Sequence, residues 1–295
     1  MAIRAPFFTA TIIPIILGTI VAWNETGLFN LGLFLLTLLG ILLMQTGANL
    51  ANDYYDHVSG NDENNNTPTP FSGGSRVIQE GLIPAKSIIS VSLASYLLAG
   101  VIGFYLHLLI GDVIIYLALA GGFLGFFYSA DPIRFSYNGL GEISVFLGFG
   151  SLLVAGAYYV QVQKLSLSMW LISVPVGILI MLVLFINGFQ DWEADEKVNK
   201  KTLVVLLGKK KSAVFYILFL ALVYLWIISG VLFNLFPPYT LLTLITLPVA
   251  MKTVSHLRKN YDMIYELLPA NAGTIKLHML IGLTLSIGYV LDVWF

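Results

Sequence analysis

The chain has 295 residues, 58% of them hydrophobic and only 11% charged, with a mean hydropathy of +0.86. Soluble domains carry roughly 25% charged residues, so the composition fits a chain living in lipid and implies an all-α, polytopic membrane protein in which each bilayer crossing takes about 20 apolar residues. A net charge of −1 argues against nucleic acid as a partner, the absence of cysteine excludes disulfides and thiolate chemistry, and the four histidines lack metal-ligand spacing.

Nine apolar segments follow in chain order, at about 7–23, 31–52, 88–110, 113–129, 142–160, 170–190, 213–233, 239–251 and 276–294. The first carries only Arg4 before it and lacks a small-residue cleavage site, so it reads as a retained helix. The eighth is short and follows Pro237 and Pro238. Sorted by loop, every one of the fifteen Lys and Arg residues except Lys164 falls at the N-terminus or after segments 2, 4, 6 and 8. The positive-inside rule sets these on the cytoplasmic side and the C-terminus outside. Of the sixteen acids, all but Glu25, Asp112 and Asp292 gather on that same side, which topology does not require. A face rich in both signs suits a multiply charged ligand together with a cation.

The end of segment 2 reads QTGANLANDYYDHVSGND. At 3.6 residues per turn, Gln45, Asn49, Asn52 and Asp56 form one polar stripe with Asp53 at its border. Amides and carboxylates at this depth need a cavity, a partner or an ion; a helix merely ending at the headgroups explains one or two of them, not three turns. Gly60 lets the chain turn and bring Asp62 back toward the stripe. Segment 6 ends alike, with Asn187, Asp191 and Asp195 on one face of NGFQDWEADEKVNKKTL. Facing carboxylates repel unless a hard cation lies between them, and Mg²⁺ shares its shell with substrate phosphates. A diphosphate bridged by Mg²⁺ to two acidic helix ends follows, with Arg76, Lys200 and Lys201 available for its remaining oxygens. Topology alone would also place basic residues there.

These motifs resemble the UbiA superfamily of intramembrane prenyltransferases over nearly the whole chain, 1–295 as a single domain. NDYYDHVSGND is similar to the first aspartate motif of the branch that prenylates 1,4-dihydroxy-2-naphthoate in menaquinone synthesis. Gly60 stands where ubiquinone-type relatives have the last aspartate, and Asp62 would take that role. DWEADEKVNKKTL resembles the second motif, with Asn199, Lys200 and Lys201 where the family often has Gly-Lys-Arg; the segment from Tyr128 through GLGE with Glu142, and AGAYYVQ, also match that branch. The resemblance implies nine transmembrane helices around a central cavity open to the cytoplasm, two Mg²⁺ ions, a polyprenyl diphosphate donor and an aromatic acceptor, in the inner membrane. It implies metal ligation by Asp56, Asp62, Asp191 and Asp195, catalytic parts for these and for Asn52 and Asn187, and substrate contacts from Asn49, Arg76, Tyr128, Arg134, Lys200 and Lys201. Arg134 is the candidate partner for an acceptor carboxylate. Tyr54, Tyr55, Phe126, Phe127, Tyr128 and Phe149 are candidate rings for an allylic cation, though aromatics also populate membrane interfaces. Within the family, hydroxybenzoate, homogentisate or a glyceryl phosphate lipid are alternative acceptors. A cation-coupled transporter, the rival of another class, would carry its acids near the bilayer midplane; here they collect at one face.

Overall fold

The structure, a computed structural model, describes residues 5–295; Arg4, counted above on the cytoplasmic side, lies outside the described residues. A 3₁₀ turn, Ala5–Phe8, leads into α1 (Thr9–Thr26), α2 (Leu31–Val58) and the short α3 (Asn61–Asn64). A long loop precedes α4 (Ala85–Ile110) and α5 (Val113–Phe126). Next come α6 (Gly141–Val145) and α7 (Leu153–Val162), joined without a break by a π-helical stretch, Phe146–Leu152. The chain continues through α8 (Leu167–Lys197), α9 (Leu203–Leu207) and α10 (Lys209–Leu232). A 3₁₀ segment, Pro238–Thr246, runs straight into α11 (Leu247–Asn260), and α12 (Leu268–Trp294) ends the chain. Among the described residues the only β pairing is an isolated bridge between Thr69 and Ser72.

Seven of these units are long and apolar enough to cross a membrane: α2, α4, α6 with α7, α8, α10, the 3₁₀ segment with α11, and α12. α5 is apolar but has 14 residues, and α1 has 18. The chain is an integral membrane protein.

Several helices outrun their apolar segments. Segment 31–52 continues as helix to Val58, and segment 170–190 to Lys197. Segment 276–294 begins already at Leu268, so Lys276 sits inside α12 rather than in a loop. Segment 239–251 divides into the 3₁₀ stretch and α11, which reaches Asn260. Hydropathy registers residues that meet lipid, whereas the helix persists wherever its polar residues find partners across a cavity.

α8 is the axis of the bundle: 78% of its apolar window is buried, against 22% for α2 and α4, which show most of their surface to lipid. Leu179, Leu182, Phe185 and Ile186 of α8 pack with Leu17 of α1, Tyr216 of α10 and Ile281 of α12 in one core. The π-helical stretch lies directly on this axis, where Gly150 abuts the Gly177 backbone with no room for a Cβ on either. Small residues permit this close approach. The result is a closely packed α8 whose last turns stand opposite the end of α2.

Candidate active site

Between the ends of α2 and α8, and under the loop that follows α3, lies a cavity of about 440 Å³. From α2 it is walled by Asn52 and Asp56, and from α8 by Asn187 and Asp191. The local fold delivers the third acid. α2 stops at Ser59, Gly60 adopts φ +74, and α3 then carries Asp62 back to the cavity wall, buried to 3% exposure. Arg76 Nη1 donates to the Asp62 carbonyl at 2.5 Å, and the backbone of Gly74, at φ +73, presses on the Asp62 carboxylate so closely that a side chain there has no space. A Cβ is disfavoured at this φ as well. Asp53, at the border of the stripe, accepts from the Ser75 backbone N–H at 3.3 Å and so anchors the same loop.

Asp56 is held from three directions. Tyr137 Oη donates to Oδ1 at 2.7 Å, while Asn52 Nδ2 and Lys200 Nζ reach Oδ2 at 3.0 and 3.1 Å. Lys200 Nζ also stands 3.8 Å from Asp195 Oδ1, so one buried ammonium bridges the two motifs. Burial alone would pull this lysine's pKa down, but the Asp56 and Asp195 carboxylates outweigh it and hold the group charged, above the ordinary lysine range. Burial likewise pushes the Tyr137 and Tyr128 phenols up, keeping both as donors. On the α8 side, Asn65 Nδ2 donates to Asp191 Oδ1 at 2.9 Å and Asn61 Nδ2 to Asp195 Oδ1 at 3.2 Å. Asp195 opens on an adjoining cavity of about 50 Å³, shared with Asp191, Tyr128 and the buried Glu142, whose Oε1 accepts from the Leu203 N–H at 3.1 Å.

The structure thus brings Asn52, Asp56, Asp62, Asn187, Asp191, Asp195, Arg76, Tyr128 and Lys200 to one pair of adjoining cavities. Asn49, Arg134 and Lys201 are not among the residues lining them. Arg134 lies 3.9 Å over the Tyr137 ring and 3.8 Å from Asp131, so it buttresses the tyrosine that holds Asp56. Gln45, the first member of the stripe, is engaged by helix packing: it accepts from Thr11 at 2.5 Å and donates to the Phe7 carbonyl at 3.0 Å. Of the candidate rings only Tyr128 faces the main cavity, joined there by Phe7 and Phe71; Tyr55, Phe126 and Phe127 pack edge to face in one aromatic cluster, and Tyr54 packs against Tyr55. Phe149 lines an apolar recess instead. That recess and a neighbouring one, about 50 and 70 Å³, share Ile41, Met44, Gly121 and Leu153 between α2, α5 and α7. The sequence reading misses Tyr137, Asn61, Asn65 and Asn271, although the Asn64–Asn66 run beside the first motif is a signal in hindsight.

Three buried carboxylates, Asp56, Asp62 and Asp195, and the half-buried Asp191 face a single buried lysine, an excess of negative charge that calls for cations. No three acidic or histidine side chains among the described residues close on one point. The donor set therefore suits an ion that takes one or two carboxylates and fills its shell with substrate oxygens and water, which is the habit of Mg²⁺.

Residues 11–264 match the sequence model of the UbiA prenyltransferase family. A 1,4-dihydroxy-2-naphthoate octaprenyltransferase from Bacillus subtilis strain 168 is 29% identical over 289 residues, covering 98% of this chain and 91% of the relative. A 2-carboxy-1,4-naphthoquinone phytyltransferase from Synechocystis sp. PCC 6803 is 31% identical over 292 residues, with the same coverage of 98% and 91%. Among solved structures, a UbiA homolog from Archaeoglobus fulgidus bound to DMAPP and Mg²⁺ superposes with a TM-score of 0.64 at 15% identity, covering 99% of this chain and 98% of that one, and so shares the fold. The all-helical bundle, the facing aspartate motifs and these matches together establish that the chain belongs to the UbiA prenyltransferase family and is a membrane-bound prenyltransferase.

Proposed function

We propose that this enzyme transfers a polyprenyl group from polyprenyl diphosphate to 1,4-dihydroxy-2-naphthoate, the prenylation step of menaquinone synthesis. The observation that carries the reading is the meeting of two aspartate-bearing helix ends over one 440 Å³ cavity, with Lys200 between them. The naphthoate and naphthoquinone acceptors named for the two relatives support the choice of acceptor. Asp56 and Asp62 would hold one Mg²⁺, and Asp191 and Asp195 a second. When bound, these ions offset negative charge on the diphosphate.

The residues of the chain divide the remaining work. Lys200 and Arg76 bind diphosphate oxygens; as the bond from the prenyl carbon to oxygen breaks, its electron pair passes to the diphosphate, where the ammonium and guanidinium stabilise it. Tyr128, with Phe7 and Phe71, walls the space beside the allylic cation. The ring carbon bearing the carboxylate forms the new carbon–carbon bond, and CO₂ leaves, returning its electron pair to the ring. The apolar recesses along Ile41, Met44 and Gly121 would receive part of the prenyl tail. Tyr137, steadied by Arg134, positions Asp56.

In this reading residues 1–295 are one prenyltransferase domain of nine crossings, the seven long units together with α1 and α5, set in the inner membrane. The N-terminus and the cavity mouth face the cytoplasm, and the C-terminus lies outside. Because the chain has no cysteine, a single cysteine at Lys210 and one appended after Phe295 are each labelled without background. The first is expected to react from the cytoplasmic side alone and the second from outside alone; labelling from one common side would remove a crossing.

The test of the activity is diphosphate release. Purified protein with a polyprenyl diphosphate and dihydroxynaphthoate is expected to liberate diphosphate with Mg²⁺ and none in excess EDTA. Release that ignores Mg²⁺, or solute flux in liposomes without any release, contradicts the reading.

A further inference from the structure

The two Asn-x3-Asp patterns look alike in sequence, but their asparagines are set with opposite polarity. Asn52 commits its amide nitrogen to protein: Nδ2 donates to Asp56 Oδ2 at 3.0 Å and to Ser129 Oγ at 2.8 Å. A carboxylate only accepts, so the nitrogen's side is fixed, and the Asn52 carbonyl is the end left for the cavity that this residue lines.

Asn187 is held the other way round, by a chain of amides that starts on the backbone. The Ile264 carbonyl can only accept, so the group 2.8 Å from it is the nitrogen of Gln190. Gln190 and Asn271 exchange bonds at 3.3 and 3.4 Å, Gln190 Oε1 accepting from Asn271 Nδ2 and Gln190 Nε2 donating to Asn271 Oδ1. The second hydrogen of Asn271 Nδ2 then goes to Asn187 Oδ1 at 2.9 Å. Asn271 is completely buried and Gln190 is 5% exposed, so neither can turn its amide over without stranding a buried polar group. The carbonyl of Asn187 is thus taken from behind, and among the described residues its Nδ2 has no protein acceptor; it belongs to the cavity wall.

Resting on the diphosphate reading above, we infer that Asn187 is a hydrogen-bond donor to the diphosphate rather than a metal ligand, and that Asn271 is the positioning residue that fixes this polarity. A cation needs an oxygen lone pair, and an amide N–H offers none. Asn187 stands one turn from Asp191 toward the middle of α8. Its N–H is therefore beyond the carboxylates, on the side from which the prenyl carbon meets the diphosphate. A donor aimed at the ester oxygen there gains strength as the carbon–oxygen bond breaks and the electron pair moves onto that oxygen.

The test is binding of inorganic diphosphate, measured by calorimetry at saturating Mg²⁺. Wild-type protein binds it if the diphosphate reading holds, and no binding would overturn that reading itself. Asn187→Asp preserves size and the bond from Asn271 but puts a negative oxygen where the N–H was, and is expected to weaken binding at least about tenfold. Tighter binding would make Asn187 a metal ligand and unchanged binding would remove it from the diphosphate; either overturns the inference. Asn271→Leu is expected to weaken binding several-fold in the wild-type background and to add nothing in an Asn187→Ala background. Equal losses in both backgrounds would reduce Asn271 to a packing residue.

Discussion

Asp56→Ala and Asp191→Ala should each lower turnover by at least about 100-fold, with membrane insertion intact. The two losses arise differently. Asp191 has one neutral protein donor, Asn65, so its removal takes a carboxylate from the cavity and leaves only an amide without its partner. Asp56 is the hub of Tyr137, Asn52 and Lys200, so its removal also strands a buried ammonium beside Asp195 alone. Breaking one side of a buried ion pair is costly to stability. Asp191→Ala is therefore the cleaner probe, and its melting temperature in detergent should stay close to wild type while that of Asp56→Ala falls. Turnover is read at limiting Mg²⁺. Near-normal rates there in either variant would remove that residue from the site.

The stripe on α2 and its counterpart on α8 are legible in the sequence because helical spacing alone puts Asn52 with Asp56, and Asn187 with Asp191, on one face. Spacing says which residues share a face, not what each one meets. Gln45 lies on the same stripe and is used to fasten α2 to α1 through Thr11. Lys200 and Lys201 are equivalent as letters, but Asn199 turns the chain at φ +55 and the Lys200 N–H closes on the Asp195 carbonyl at 2.8 Å. The outcome is one lysine buried between the motifs and its neighbour exposed. Arg134, a candidate cation near the cavity mouth, meets the Tyr137 ring. Asn271 lies 84 residues from the asparagine it orients, in a turn of α12 that hydropathy leaves out of the span. Such partners are supplied by tertiary packing, and no local pattern announces them.

The acceptor gives the second large effect, because an enzyme with the proposed naphthoate acceptor should discriminate against other rings nearly completely. Specificity of this size comes from buried polar groups that go unpaired with the wrong substrate. Dihydroxynaphthoate carries two ring hydroxyls and a carboxylate on a two-ring frame. Tyr128 and Glu142 line the smaller cavity beside Asp195, and in this reading the phenol and the carboxyl group are the polar partners for such oxygens. Hydroxybenzoate has one ring and one hydroxyl, and would leave part of that set without partners. Purified protein is incubated with Mg²⁺, one polyprenyl diphosphate and, in separate reactions, dihydroxynaphthoate, hydroxybenzoate, homogentisate and a glyceryl phosphate lipid, and the products are weighed by mass spectrometry. The naphthoate reaction should yield a product whose mass is that of the acceptor plus the prenyl group, less CO₂, at a rate at least about 100-fold above the others. Prenylated hydroxybenzoate or glyceryl phosphate, with dihydroxynaphthoate left untouched, would contradict it.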